Sequence, residues 1–339
     1  MKKVFVCLFC VIVMCISFGC SGKNAVLDDP PQASGGTAAK DKYVFATLLS
    51  ELDYFEDYKR ALSVAEKELD VDTEFVGPED YDLAALIQHL EEAIDSPDTT
   101  GIILLGWEDA LIPVINKASE KGIYVFTITQ DLPNSKRNLF ISQLNYEAGQ
   151  EAARILVNTM GLKGDVAILR GVTLSNVTER IRGFKNILDQ YPDIRIVADI
   201  DNKNDALIAE KKAEGIFQQH PQLKGFLCAD GISGPAVIKA MQVVKAPDGI
   251  CLVTYDRDET VLKAVDSGIV TATLVAQTPL EIYLAIQEGQ RMKSSDLQLS
   301  YDDKAAGIAF SPNLIGTRCI VVNKSNVKYF MRNYKAQGK

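Results

Sequence analysis

The chain has 339 residues, 47% of them hydrophobic and 24% charged, enough to bury a sizeable core and long enough for two domains rather than one. A net charge of −9 and a pI near 5.0 exclude a phosphate-tracking surface, which needs clustered Lys and Arg, so no nucleic-acid partner is expected. With His89 and His220 the only histidines, a His-rich metal site is excluded as well.

In chain order, the first element is a targeting segment. Lys2 and Lys3 form a charged start, Val4 to Phe18 is an apolar run of signal-peptide length, and Gly19-Cys20 follows. A small residue directly before Cys, at the end of such a run, resembles a bacterial lipoprotein signal, in which that cysteine becomes the lipidated first residue. Ser17 departs from the aliphatic residue most such signals carry. The expectation is export, with residues 1–20 as a lipoprotein-type signal and Cys20 as the lipidation site. The alternative, an uncleaved membrane anchor, needs ~20 apolar residues, more than this run supplies. Residues 21–41 (SGKNAVLDDPPQASGGTAAKD) have little to bury and read as a flexible tether.

The body alternates β-rich runs with helical faces. Tyr43 to Leu49 is followed by Ala61, Leu62, Ala65 and Leu69 at helical spacing; Val71 to Val76 by Leu83, Leu86, Ile87, Leu90 and Ile94; Gly101 to Leu105 by Ala110 to Glu120. The strand Ile123 to Ile128 then stops abruptly at Thr129-Gln130-Asp131. Such a stop puts polar side chains at the carboxyl edge of a parallel sheet, where open α/β sheets bind ligands. After a Pro turn, the run Asn138 to Ser142 leads into the polar step Gln143-Leu144-Asn145 and a helix from Tyr146 to Met160. The alternation starts again there, with strands at Asp165 to Leu169, Arg195 to Ile200, Lys224 to Cys228 and Ile250 to Thr254. Strands spaced by helices imply right-handed βαβ crossovers and parallel sheets, and the repetition on either side of one polar crossing implies two similar lobes.

Cys7, Cys10 and Cys15 fall in the leading apolar run. Cys228, Cys251 and Cys319 sit in β-like runs and read as buried free thiols, without the spacing of a disulfide framework or a zinc site. No GxGxxG or GxxxxGKS/T follows any strand, so a nucleotide cofactor is not expected, and neither a metal nor any other cofactor is called for.

Several stretches read together resemble a known pattern over roughly residues 43 to 330: the aromatic pair Tyr54-Phe55, DLAALIQHLEEAI, TTGIILLGWEDALIPVINKASEKGIYVFTITQDLP, QLNYEAGQEAA, LRGVTLSNVTERIRGF, GFLCAD, CLVTYD and GIVTATLVAQTP. The chain resembles the type I periplasmic sugar-binding proteins, the ribose-binding-protein family. That resemblance implies an α/β fold of two similar doubly wound parallel-sheet lobes joined by three hinge crossings, at 143–145, through 269–277, and near 311–315. The first lobe would be 42–143 plus 278–312, the second 144–277 plus 313–339.

A sugar offers hydroxyls that donate and accept, and C–H faces that pack on aromatics, so planar polar side chains beside an aromatic floor suit it. The resemblance assigns ligand contacts to Asp256, at the end of CLVTYD, and to Arg180 at a helix start. The competing role for Asp256 is a helix N-cap, and for Arg180 a surface charge. Asn176 matches a contact or a cap, Gln277 a pocket or hinge residue. Asp230 follows Ala229, where many relatives carry Asn. Tyr54 and Phe55 supply an aromatic floor or join the core, and Trp107 stacks on a ligand or closes the hinge. Thr129 and Gln130 replace the polar residues usual in the family, whereas Asp131 keeps its acidic residue; the change bears on which hydroxyl pattern is accepted.

The implied function is capture of a monosaccharide or related polyol between two lobes for uptake by an ABC-transporter permease. The protein would act as a monomer in the cell envelope or periplasm, held to a membrane only through Cys20. One alternative hands the closed form to a chemoreceptor or histidine kinase. The other, an exported α/β hydrolase, lacks both a GxSxG elbow and a histidine at a strand end, so no enzymatic activity is expected.

Overall fold

The computed structural model describes residues 40–51, 55–171, 174–303, 305–308 and 311–331. The expected signal segment with Cys20, the tether up to residue 39, and Tyr54 lie outside them.

The first half of the chain runs β1 (Lys42–Ala46), α1 (Glu56–Leu69), β2 (Asp72–Val76), α2 (Leu83–Asp95), β3 (Thr99–Leu105), α3 (Ile112–Glu120), β4 (Tyr124–Ile128) and β5 (Leu139–Gln143). The second repeats the scheme with α4 (Asn145–Met160), β6 (Gly164–Arg170), α5 (Ser175–Leu188), β7 (Ile194–Asp201), α6 (Ala206–Gln219), β8 (Leu223–Cys228), α7 (Ser233–Val244), β9 (Cys251–Tyr255), α8 (Glu259–Ser267) and β10 (Ala272–Val275). Then come α9 (Thr278–Ser294), β11 (Leu314–Thr317) and β12 (Ile320–Asn323). The strands form two sheets ordered β11-β5-β4-β3-β1-β2 and β12-β10-β9-β8-β6-β7, so each strand of one sheet has a counterpart in the other. Among the described strands only β12 runs antiparallel to its neighbour.

Helices on both faces explain the unbroken apolar strands. In β1, Tyr43 and Phe45 pack with Tyr58 and Leu62 of α1 and Ile282 of α9, while Val44 and Ala46 meet Leu86 of α2 and Ile115 of α3. In the second sheet Phe226 and Cys228 join Phe217 and Val237 on one face, and Leu227 meets Leu156 and Phe184 on the other. Cys228 and Cys251 are buried, as expected, but Cys319 is partly accessible because it lies in the segment between β11 and β12.

The chain passes between the sheets at Leu144, again at Ala276-Gln277, and a third time at Arg318-Cys319. The third crossing is therefore later than the expected 311–315. Residues 314–317 pair in parallel with Phe140 to Gln143 and stay in the first sheet. Four residues of modest hydrophobicity on a sheet edge carry too little periodicity to be read as a strand.

Candidate ligand-binding site

β4 and β9 are counterparts, and each is followed by a residue with positive φ, Thr129 at 61° and Asp256 at 68°. Left-handed backbone at a non-glycine residue costs ~1–3 kcal/mol and persists where the surroundings impose it, commonly at binding sites. The N-cap role open to Asp256 belongs instead to Asp258, whose side chain accepts from Thr260 N at 2.7 Å. The Asp256 carboxylate takes no hydrogen bond from any described residue. It lies against Gly231, where an added Cβ would stand 2.6 Å from Oδ2. Burial holds this carboxyl above its ordinary range; the Arg180 guanidinium opposes the rise and Asp230 adds to it.

Arg180 is 6% exposed, which removes the surface-charge reading. Its Nε donates to Asn145 Oδ1 at 2.9 Å, its Nη1 to the Ala229 carbonyl at 3.2 Å, and its guanidinium carbon sits 4.2 Å from the centre of the Tyr255 ring. Two glycines place it there. A Cβ on Gly149 of α4 would run into the Arg180 carbonyl, and one on Gly183 of α5 into the Tyr146 carbonyl, so reciprocal glycines let the two helices close up.

On the first-sheet side the centre is Glu281, fully buried in the first turn of α9. Its Oε1 accepts from Thr317 Oγ1 at 3.1 Å and its Oε2 from Thr129 Oγ1 at 3.3 Å, and it also takes the Gln143 backbone N–H. Burial pushes this carboxyl up to about 7 against those hydrogen bonds. Gln143 Nε2 donates to Asn145 Oδ1 at 3.3 Å, so a polar chain runs from Thr129 through Glu281, Gln143 and Asn145 to Arg180 across the first crossing. Sequence reading missed Glu281. The signal was a carboxylate on the buried helical face of Ile282, Ala285 and Ile286, which a first-turn acid, ordinary at a helix start, concealed.

The other expected contacts have partners within the chain. Asp131 is a loop brace: its carboxylate pairs with Arg137, whose Nη2 lies 2.6 Å away, and accepts from Thr127 Oγ1 at 2.9 Å and Leu132 N at 2.8 Å. Asp230 braces the turn that leads into α7, accepting from Ile232 N, Ser233 N, Ser233 Oγ and Asn202 Nδ2. Asn176 Oδ1 accepts from Val177 N at 2.8 Å. Gln277 ties two crossings together, donating to the Arg318 carbonyl at 2.7 Å. Phe55 is a core residue, fully buried against Phe45, Tyr58 and Phe75. Trp107 is partly buried and packs on both core clusters of the first sheet. Gln130 is 6% exposed, its carbonyl accepting from Gly106 N at 3.0 Å. Thr129, Arg180 and Asp256, with Asn145, Tyr255 and Glu281 in contact with them, make up the candidate site.

Among the described residues there is no cluster of His, Cys, Asp and Glu able to hold a metal ion, and no helix long and apolar enough to cross a membrane.

A family profile described as a periplasmic binding protein domain matches residues 44–294. The chain is 25% identical over 260 residues to the D-allose-binding periplasmic protein of Escherichia coli K12, an alignment covering 74% of this chain and 82% of that one. It is 25% identical to a D-apiose import binding protein of Paraburkholderia graminis over 54% of this chain and 59% of that protein, less than two thirds of the relative's length. An arabinose-binding protein from Geobacillus stearothermophilus superimposes with a TM-score of 0.79 at 28% identity, covering 86% of this chain and 99% of that one.

Proposed function

The chain belongs to the periplasmic binding protein family, and on that premise we propose that it is an exported solute-binding protein that closes two lobes on a monosaccharide or related polyol. The observation that carries the reading is the Asp256 carboxylate. It ends a buried strand in a left-handed turn, is relieved of capping by Asp258, and has no hydrogen-bond donor among the described residues, while Arg180 lies near enough to act on its charge. A carboxylate accepts from two adjacent sugar hydroxyls, and a guanidinium donates to others. Relatives that bind allose and apiose support a sugar over other solutes.

Thr129 on one sheet and Asp256 with Arg180 on the other would contribute opposite walls, so ligand stabilises the closed state by binding it better than the open one. No bond is made or broken in this cycle. The three crossings act as the hinge, with 42–143, α9 and β11 on one side and the remaining body on the other. The closed form is delivered to an ABC-transporter permease in the cell envelope, a choice supported by the import role named for the apiose relative. The protein acts as a monomer, and Cys20 carries the lipid that tethers it. Mass spectrometry of small molecules released on denaturing the purified protein, followed by thermal-shift screening of pentoses, hexoses and polyols, tests the reading. A cognate sugar raises the melting temperature in proportion to the logarithm of its excess over Kd. A protein stabilised by none of them, yet carrying another class of solute, rejects it.

A further inference from the structure

Arg257 follows Asp256 directly, and its guanidinium forms an ion pair with Asp57 in the first turn of α1, the helix packed on the opposite sheet. The pair therefore spans the two halves of the molecule. Asp57 engages two arginines through different oxygens: Oδ1 meets Arg60 of its own helix and Oδ2 meets Arg257. The geometry points to an interlobe latch in which Arg257 locks onto Asp57 as the clamp closes and lets go as it opens. The inference rests on the solute-clamp reading and adds a means of holding its closed state.

Three features suit the pair to that task. Asp57 keeps Arg60 when the lobes part, so no carboxylate is stranded, and the Arg257 side chain is already 37% exposed. Opening then costs little, as a reversible device requires. The ion pair is also tied to the ligand, because one left-handed turn sets both side chains: Asp256 towards Gly231 and Arg180, Arg257 towards α1. Finally, an ion pair with one exposed partner is weak alone, so it tunes closure without closing the clamp before ligand arrives.

The test uses the full chain and a panel of D-allose, D-apiose, D-arabinose, D-ribose and xylitol. For the tightest-binding member, Asp57→Asn and Arg257→Gln are each expected to weaken affinity about two- to fivefold at low ionic strength. The penalty should shrink at ~1 M salt, where the screening length is about 3 Å, and the double variant should be no worse than either single one. Wild-type affinity in both single variants, or losses that simply add, overturns the latch and leaves the sugar reading standing. Should no panel sugar bind, the latch is decided without ligand. Asp57→Cys/Arg257→Cys protein treated with a bis-maleimide, whose spacer reaches further than a disulfide can, is expected to form the 57–257 cross-link, identified by peptide mapping, faster than a Lys117→Cys/Arg257→Cys control. Equal rates overturn it.

Discussion

Thr129 and Asp256 are the same residue position written twice. Each follows the third strand from the edge of its sheet with φ near +65°, at 61° and 68° respectively. Each gives its backbone N–H to the neighbouring strand, Thr129 to the Ile141 carbonyl at 3.1 Å and Asp256 to the Leu274 carbonyl at 2.9 Å. Each receives a hydroxyl from that same strand on its own carbonyl, from Ser142 at 3.2 Å and Thr273 at 2.6 Å. Duplicated strain, held by duplicated hydrogen bonds, turns a side chain from each half off the sheet edge.

Replacing Asp256 by Gly separates binding from folding. Glycine suits φ 68°, and the substitution removes a partly desolvated carboxylate, so thermal stability should hold or rise by about 1 kcal/mol. Sugar affinity should fall about tenfold or more, since hydrogen bonds to a charged group are worth about 1.5–3 kcal/mol. Calorimetric titration and differential scanning calorimetry read the two effects independently.

Arg180→Ala is expected to lose both. The guanidinium is 6% exposed and bonds Asn145 and the Ala229 carbonyl, so truncation leaves the buried Ala229 carbonyl without its side-chain donor at a cost of about 1–3 kcal/mol in denaturant unfolding. An unchanged denaturation midpoint would show that the guanidinium spends its time elsewhere.

Gly149→Ala should damage the site from a distance. The added methyl meets the Arg180 carbonyl and must push α5 away from α4, an overpacking cost of about 1–3 kcal/mol. Because α5 carries Arg180, affinity falls with stability. The exposed Gly122, whose Cβ would meet nothing within 4 Å but whose φ is +84°, provides a contrast: alanine there strains the backbone without touching ligand affinity.

Glu281 makes stability depend on pH with a definite sign. Its carboxyl rises from 4.5 to about 7 in the folded protein, so the folded state binds the proton more tightly than the unfolded one. The neutral acid is favoured when folded, and its contribution is greatest below pH 4.5 and is lost as pH rises through 7. At about 1.4 kcal/mol per pKa unit the loss is about 3 kcal/mol. Glu281→Gln should flatten the stability profile between those limits and make the protein more stable than wild type at pH 8. Parallel slopes in the two proteins would refute the assignment.

Much of the fold was legible because parallel strands buried on both faces are continuous apolar runs with helical faces between them. The edges were not: β10, β11 and β12 have four residues each, and their pairing is set by the sheet they join rather than by their own pattern. Asp256 and Arg180 were assigned by the family resemblance, and the structure removes the plainer roles open to them, since Asp258 caps the helix that follows and Arg180 is buried. Asp131 and Asp230 also follow apolar strands, and each is held by a partner the sequence does not reveal as a neighbour. Arg137 lies six residues from the first, and Asn202 twenty-eight from the second. Glu281 and Arg257 were missed because an acid in a first helical turn and a charge beside a cap are ordinary surface features until the opposite half of the molecule is placed against them.

The most direct test of the central claim is a calorimetric titration of monosaccharides into wild-type protein and Asp256→Ala side by side. Expected is saturable binding of a monosaccharide or polyol to the wild type, and an affinity about tenfold or more weaker in the variant with its melting temperature preserved. A variant that keeps its fold and binds the same sugar as tightly as wild type contradicts the assignment of the strand-end carboxylate to the ligand.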